Sequence, residues 1–144
     1  MPQTHEYQGS CHCGAIRATL VATRPAQDLQ VRACQCSFCA RHGAMTVSDP
    51  AGHAVIEIEH AHLLRYQFAT RTGVCLICAR CGMYAGVMLQ DGANTWSVLN
   101  VRGLAIAAFK DRTAEPVVYD GESAQARIAR RKAKWTPTEL RLIE

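Results

Sequence analysis

No apolar stretch in this chain runs longer than six residues, as in Val74 to Ala79. A membrane-spanning helix takes about 20, so no transmembrane span is expected. The opening Met1-Pro-Gln-Thr-His-Glu6 has neither a basic start nor an apolar core. An export signal is therefore not expected, and the expected compartment is the cytoplasm. Internal repeats and low-complexity tracts are also missing. The Pro/Gly-containing stretch Ser48 to His53 reads as a surface loop too short to link domains. A single domain over residues 1–144 is the simplest organisation. Disorder is excluded by composition, with 49% apolar and 19% charged residues. Much of the apolar share is alanine, which implies a modest core.

What the chain has in excess is cysteine, eight residues in 144. In a reducing compartment disulfides do not persist, and clustered cysteines there serve more often as metal ligands or catalytic thiols. None of the eight stands alone. They fall into Cys11-His-Cys13-Gly14, Cys34-Gln-Cys36-Ser-Phe-Cys39 and Cys75-Leu-Ile-Cys78-Ala-Arg-Cys81-Gly82. Two cysteines separated by one or two residues reach one tetrahedral zinc ion from a single turn, and Gly14 and Gly82 let that turn bend. Cys11, Cys13, Cys78 and Cys81 make a closed four-thiolate site of structural type. Cys34, Cys36 and Cys39 supply three thiolates and leave a fourth position open, the pattern of a catalytic zinc. Two zinc ions per chain are expected.

Cys75 admits another division. If it completed the second group, both sites would be closed and purely structural. Against this, residues three apart on a strand face opposite sides, so Cys75 is expected to point away from the metal of Cys78 and into the core. A redox pair at Cys78 and Cys81 has the right spacing but lacks a surrounding βαβ pattern.

Short alternating segments make the chain mainly β. Ala15 to Ala22, Leu29 to Ala33, Ile56 to Glu59 and Leu64 to Phe68 alternate apolar with polar residues. Val74 to Ile77, Met83 to Leu89 and Trp96 to Val101 read as short apolar strands. This density points to an antiparallel β domain. Phe38 to Ala44 can hold a helical turn. A short C-terminal helix is expected over Ser123 to Lys134, with Ser123 as its N-cap. The helix carries Arg127, Arg130, Arg131, Lys132 and Lys134, which account for more than the whole net charge of +4. With no aromatic ladder or DNA-reading motif beside it, the run reads as a solvated helix face, and a nucleic-acid partner is not expected.

The combination Gly9-Ser-Cys-His-Cys-Gly14, Cys34-x-Cys36-Ser-x-Cys39 with Gly43-Ala44, Cys78-x-x-Cys81-Gly82, Asn100-Val-Arg102 and Asp120-Gly121 resembles the glutathione-dependent formaldehyde-activating enzyme family, which includes the centromere protein V domain. The resemblance spans roughly residues 7–122, leaving 123–144 as a basic C-terminal segment. It implies a small zinc-binding β-tent fold, with a structural zinc on Cys11, Cys13, Cys78 and Cys81 and a catalytic zinc on Cys34, Cys36 and Cys39. It also implies a carbon–sulfur lyase chemistry joining formaldehyde and glutathione as S-hydroxymethylglutathione. In such chemistry a zinc-bound thiolate adds to the carbonyl and a neighbouring acid protonates the alkoxide. His42 is a candidate for the acid, against the plainer reading of a solvated loop histidine. Arg41 is a candidate for attracting an anionic substrate, against that of a surface arginine. The chain departs from the family pattern at Ala40, where a basic residue often stands, and at Cys75.

Three functions follow as expectations. The first is a zinc enzyme acting on a small thiol or aldehyde. The second is a non-catalytic module with two structural zincs that binds a protein or nucleic-acid partner. The third is a thiol-based metal or redox buffer. A homodimer through an edge strand is compatible with each.

Overall fold

The computed structural model describes residues 3–144. In chain order it contains β1 (His5–Ser10), β2 (Ile16–Ala22), β3 (Arg32–Cys34), α1 (Ser37–His42), β4 (Thr46–Val47) and β5 (His53–Glu59). Then follow β6 (Leu63–Tyr66), β7 (Val74–Cys78), β8 (Tyr84–Asp91), β9 (Asn94–Asn100), β10 (Glu115–Val117), α2 (Ala124–Lys134) and β11 (Thr136–Ile143). The protein is mainly β, as expected.

The strands join in the order β1-β2-β5-β11-β9-β4-β3-β10, with β8, β7 and β6 extending from β9 in turn. Most pairings are antiparallel, but two correct the antiparallel reading: β11 runs parallel to β5, and β10 parallel to β3. Both arise because the chain returns from the far side of the molecule through α2 or through an irregular segment, which brings the strand back in the same direction.

Alternation places the core. Ile16, Ala18 and Leu20 of β2 lie opposite Ile58, Ile56 and Ala54 of β5, and all six are buried. Across the other edge of β5, Leu140 pairs with Ile56 and Leu142 with Ile58. Period-two side chains thus meet on one face, where cross-strand apolar contact stabilises the pair. Phe109, Leu104 and Ile106, from the irregular segment after β9, cover the same core.

Several expectations shift. Leu29 and Val31 are buried as their alternation suggests, but the strand there is only Arg32–Cys34, because a 3₁₀ turn at Ala26–Asp28 precedes it. Leu64 and Tyr66 are exposed, since β6 is an edge strand paired only with β7. The segment after residue 122 is no appended tail. Ser123 caps α2, accepting the Ala126 amide at 3.1 Å, and β11 then enters the sheet between β5 and β9. Among the described residues, no helix is long and apolar enough to cross a membrane.

Candidate metal centre

Each cysteine group is assembled by turns that the local sequence dictates. Cys11 and Cys13 occupy the β1–β2 turn, and Cys78 and Cys81 the β7–β8 turn. In both, a glycine takes the left-handed region, Gly14 at φ 85° and Gly82 at φ 80°. The Gly14 amide donates to the Cys11 carbonyl and the Gly82 amide to that of Cys78, closing the turn around the sulfurs. A β-carbon at either position meets no atom, so the demand for glycine is one of backbone conformation alone.

The four sulfurs lie within 4.8 Å of one another. Cys11 and Cys13 stand 3.8 Å apart, and Cys13 and Cys78 3.5 Å. Tetrahedral zinc with sulfur at about 2.3 Å sets that separation at about 3.8 Å. The donor set therefore fits a zinc ion. Backbone amides of Ile16 and Cys81 donate to the sulfurs of Cys11 and Cys78 at 3.2 and 3.4 Å, as a thiolate requires. Burial pushes the Cys78 thiol up to about 12. For Cys81 burial is outweighed by hydrogen bonds from the Cys13 and Met83 amides and from neighbouring thiols, which hold it near 6.

The second group sits where β3 passes into α1. Cys34 ends the strand, Cys36 is the helix N-cap with its sulfur accepting the Cys39 amide at 3.3 Å, and Cys39 faces inward from α1. Their sulfurs also lie within 4.8 Å of one another. Hydrogen bonding from Cys39 brings the Cys34 thiol down to about 5, with a smaller contribution from the charge of Arg130, and the same bond drives Cys39 up. The cluster thus carries thiolate character at neutral pH, which suits a three-sulfur metal site.

Cys75 belongs to neither sulfur group. It is buried beside Cys39, Ala44 and Tyr84, and burial raises its thiol to about 12. A register shift between Leu76 and Ile77 separates it from Cys78, which packs in the main core.

The three cysteines open onto a cleft of about 870 Å³, mouth included. Opposite them stands α2. The basic run does not face only solvent: Arg127, Arg130 and Arg131 line the cleft. The spacing that does this was present in the sequence, since residues i, i+3 and i+4 share a helix face. Glu122 binds two of these guanidinium groups, taking Arg127 Nε at 3.1 Å and Arg130 Nε at 2.9 Å. Those two hold the Glu122 carboxyl below its usual range, Arg130 more than Arg127. Lys132 pairs instead with Asp91, away from the cleft.

Tyr84 stands in the wall. Its hydroxyl is fully buried, has no hydrogen-bond partner among the described residues, and is held well above its usual range by that burial. Sequence reasoning missed it, because a tyrosine within an apolar strand reads as core. His42 is exposed. Its Nδ1 lies 2.9 Å from the Phe38 carbonyl, and its ring packs 4.4 Å from that of Phe38. Arg41 is exposed on the same helix. Neither Arg41 nor His42 lines the cleft.

The sequence model of one family, described as glutathione-dependent formaldehyde-activating enzyme, matches residues 6–118. The crystal structure of a Rhodobacter sphaeroides protein is similar over 76% of this chain and 99% of its own, at 27% identity and a TM-score of 0.59.

Proposed function

The chain belongs to the glutathione-dependent formaldehyde-activating enzyme family, and from that membership we propose that it is a zinc enzyme of carbon–sulfur chemistry. It adds a small thiol to formaldehyde or a related aldehyde, giving S-hydroxymethylglutathione when the thiol is glutathione, and formally acts as a lyase in reverse. The observation that carries this reading is a set of three sulfur donors opening onto a cleft. Cys34, Cys36 and Cys39 would hold a zinc ion, whose Lewis acidity would lower the pKa of a thiol bound in the cleft. Cys11, Cys13, Cys78 and Cys81 would hold a second zinc ion, which would clip the two turns together.

The thiolate sulfur forms a bond to the carbonyl carbon, and the C=O electron pair moves to oxygen, which takes up a proton. The thiol proton has gone to solvent, so the sum is thiol plus aldehyde to hydroxymethyl thioether. Tyr84 Oη is suited to hold the proton for that oxygen, being buried, unpartnered and in the cleft wall. These features favour it over His42, which is exposed, does not line the cleft and has Nδ1 engaged with the Phe38 carbonyl.

A closed, purely structural second site would need Cys75 among the ligands, and its sulfur stands outside the group. A nucleic-acid surface would need the arginines outward, and three of them face the cleft.

The test is exchange-NMR measurement of adduct formation from formaldehyde and glutathione. The zinc-loaded protein is expected to speed interconversion above the spontaneous rate. Cys36→Ser abolishes the effect, and Tyr84→Phe lowers kcat by about 10²-fold with little change in KM. A rate no faster than the protein-free control would end the enzyme reading.

A further inference from the structure

Three arginines reach the cleft from α2, but they are not equivalent. Arg127 and Arg130 are both bonded to Glu122. Arg130 is further fixed with its guanidinium 3.6 Å over the Tyr119 ring, and Arg127 donates to the Tyr119 carbonyl at 3.0 Å. Arg131 has no carboxylate partner among the described residues. One nitrogen, Nη1, donates to the Thr72 hydroxyl at 3.1 Å, and the guanidinium stacks 4.5 Å over Trp135. Its Nε is buried and has no hydrogen-bond partner among the described residues. An uncompensated guanidinium with a buried, unused donor is costly unless something else completes it.

The backbone makes room for that group. A β-carbon at Gly73 would stand 2.6 Å from Arg131 Nη1 and 2.9 Å from Val87 Cγ1. Arg32, a second cleft residue without a carboxylate partner among the described residues, donates only to Ser48 Oγ, at 2.6 Å. The cleft therefore carries positive charge in excess of its own acids.

We infer that Arg131, set in its niche by Gly73, Thr72 and Trp135, is the anion subsite of this cleft, and that the preferred thiol bears a carboxylate. The inference rests on the thiol chemistry proposed above and adds the substrate's second anchor. A planar guanidinium offers Nε and Nη in a fork that matches a carboxylate. The subsite lies on α2, beyond the residues 6–118 that match the family. It is thus a feature of the part of this chain that the family pattern does not describe, and it selects among thiols rather than performing the chemistry.

The test is calorimetric titration of the zinc-loaded protein with three probes: 3-mercaptopropionate, 2-mercaptoethanol and propionate. The acidic thiol is expected to bind about tenfold or more tighter than the neutral one. In Arg131→Gln that advantage falls to about twofold or less, while 2-mercaptoethanol binds as before; Arg131→Lys keeps part of it. Gly73→Ala, which displaces the guanidinium without removing it, also reduces the advantage. Zinc content and circular dichroism confirm that each variant is folded and loaded. Equal binding of the two thiols by the wild type, or an advantage that survives Arg131→Gln, overturns the inference and leaves the thiol chemistry standing. If propionate binds through Arg131 but neither thiol adds affinity, the subsite stands and the proposed reaction fails. If no probe binds, both fail.

Discussion

Single residues in this protein do two kinds of work, and Asp49 shows the structural kind. It is buried at 2% exposure, and its Oδ2 accepts the Thr23 amide at 2.7 Å and the Thr23 hydroxyl at 2.8 Å. Its Oδ1 takes the Ala51 amide at 3.0 Å. Burial alone would raise this carboxyl, but the hydrogen bonds outweigh it and hold it below its usual range. A depressed carboxyl stabilises the fold fully above its unfolded value of about 3.9, and that contribution is lost as pH falls through the lower folded value. Asp49→Asn should therefore cost about 2 kcal/mol at pH 7. In urea unfolding followed across pH, the gap to the wild type should stay constant down to about pH 5 and close below it; a gap that widens in acid contradicts the assignment. The sequence did not mark Asp49, because its loop looked like exposed turn. The cysteines that could hold metal were legible for the opposite reason: each pair or trio lies within a few residues of chain, so spacing reports its local geometry, even though Cys11 and Cys13 meet Cys78 and Cys81 across a long loop. Arg131 and Tyr84 were not, since the roles proposed for them depend on a niche at Gly73 and on the wall of the cleft, which no local pattern announces.

At the scale of elements, alternation served well wherever both neighbours of a strand were apolar. The faces of β2 and β5 fall where Ile16, Leu20, Ile56 and Ile58 place them. It failed for β6, whose alternation of Leu64 and Tyr66 points to solvent, and it overlooked β11. There Pro137 near the strand start disguised the alternation of Leu140 and Leu142. The α2 helix was found at its sequence-predicted bounds because its start is chemically explicit. Ser123 is the cap, and Ser123→Ala should cost about 1 kcal/mol. Because α2 carries the arginines, hydrogen exchange should show faster opening of its first turn, with weaker binding of 3-mercaptopropionate. If anion affinity falls while α2 protection is unchanged, the helix is not what positions Arg131.

Across the whole molecule, the two cysteine sites differ in reach. The closed site joins positions 65 residues apart, Cys13 and Cys78, whereas the open one is confined to Cys34 through Cys39. Closing a long loop restrains the unfolded chain far more than closing a short one, and metal binding free energy becomes folding free energy. Cys13→Ser should therefore lower Tm by about 10 °C and Cys36→Ser by clearly less, each releasing one zinc in native mass spectrometry. Equal losses of Tm would mean that the open site also staples the fold. The family match likewise follows reach: it covers the segment that holds both clusters and stops before α2 and β11.

The position of β11 bears on how the protein is made. The strand sits between β5 and β9, and those two do not pair with each other. On the ribosome, residues 53–59 and 94–100 are synthesised well before residues 136–143. Until the latter emerge, a nascent chain displays the unpaired edge of β5, beside the apolar face of Ile56 and Ile58, and an unpaired stretch of β9 at Trp96 and Ser97. Such edges invite pairing with other chains. Premature termination anywhere after β9 should thus yield a sticky product rather than a smaller working enzyme.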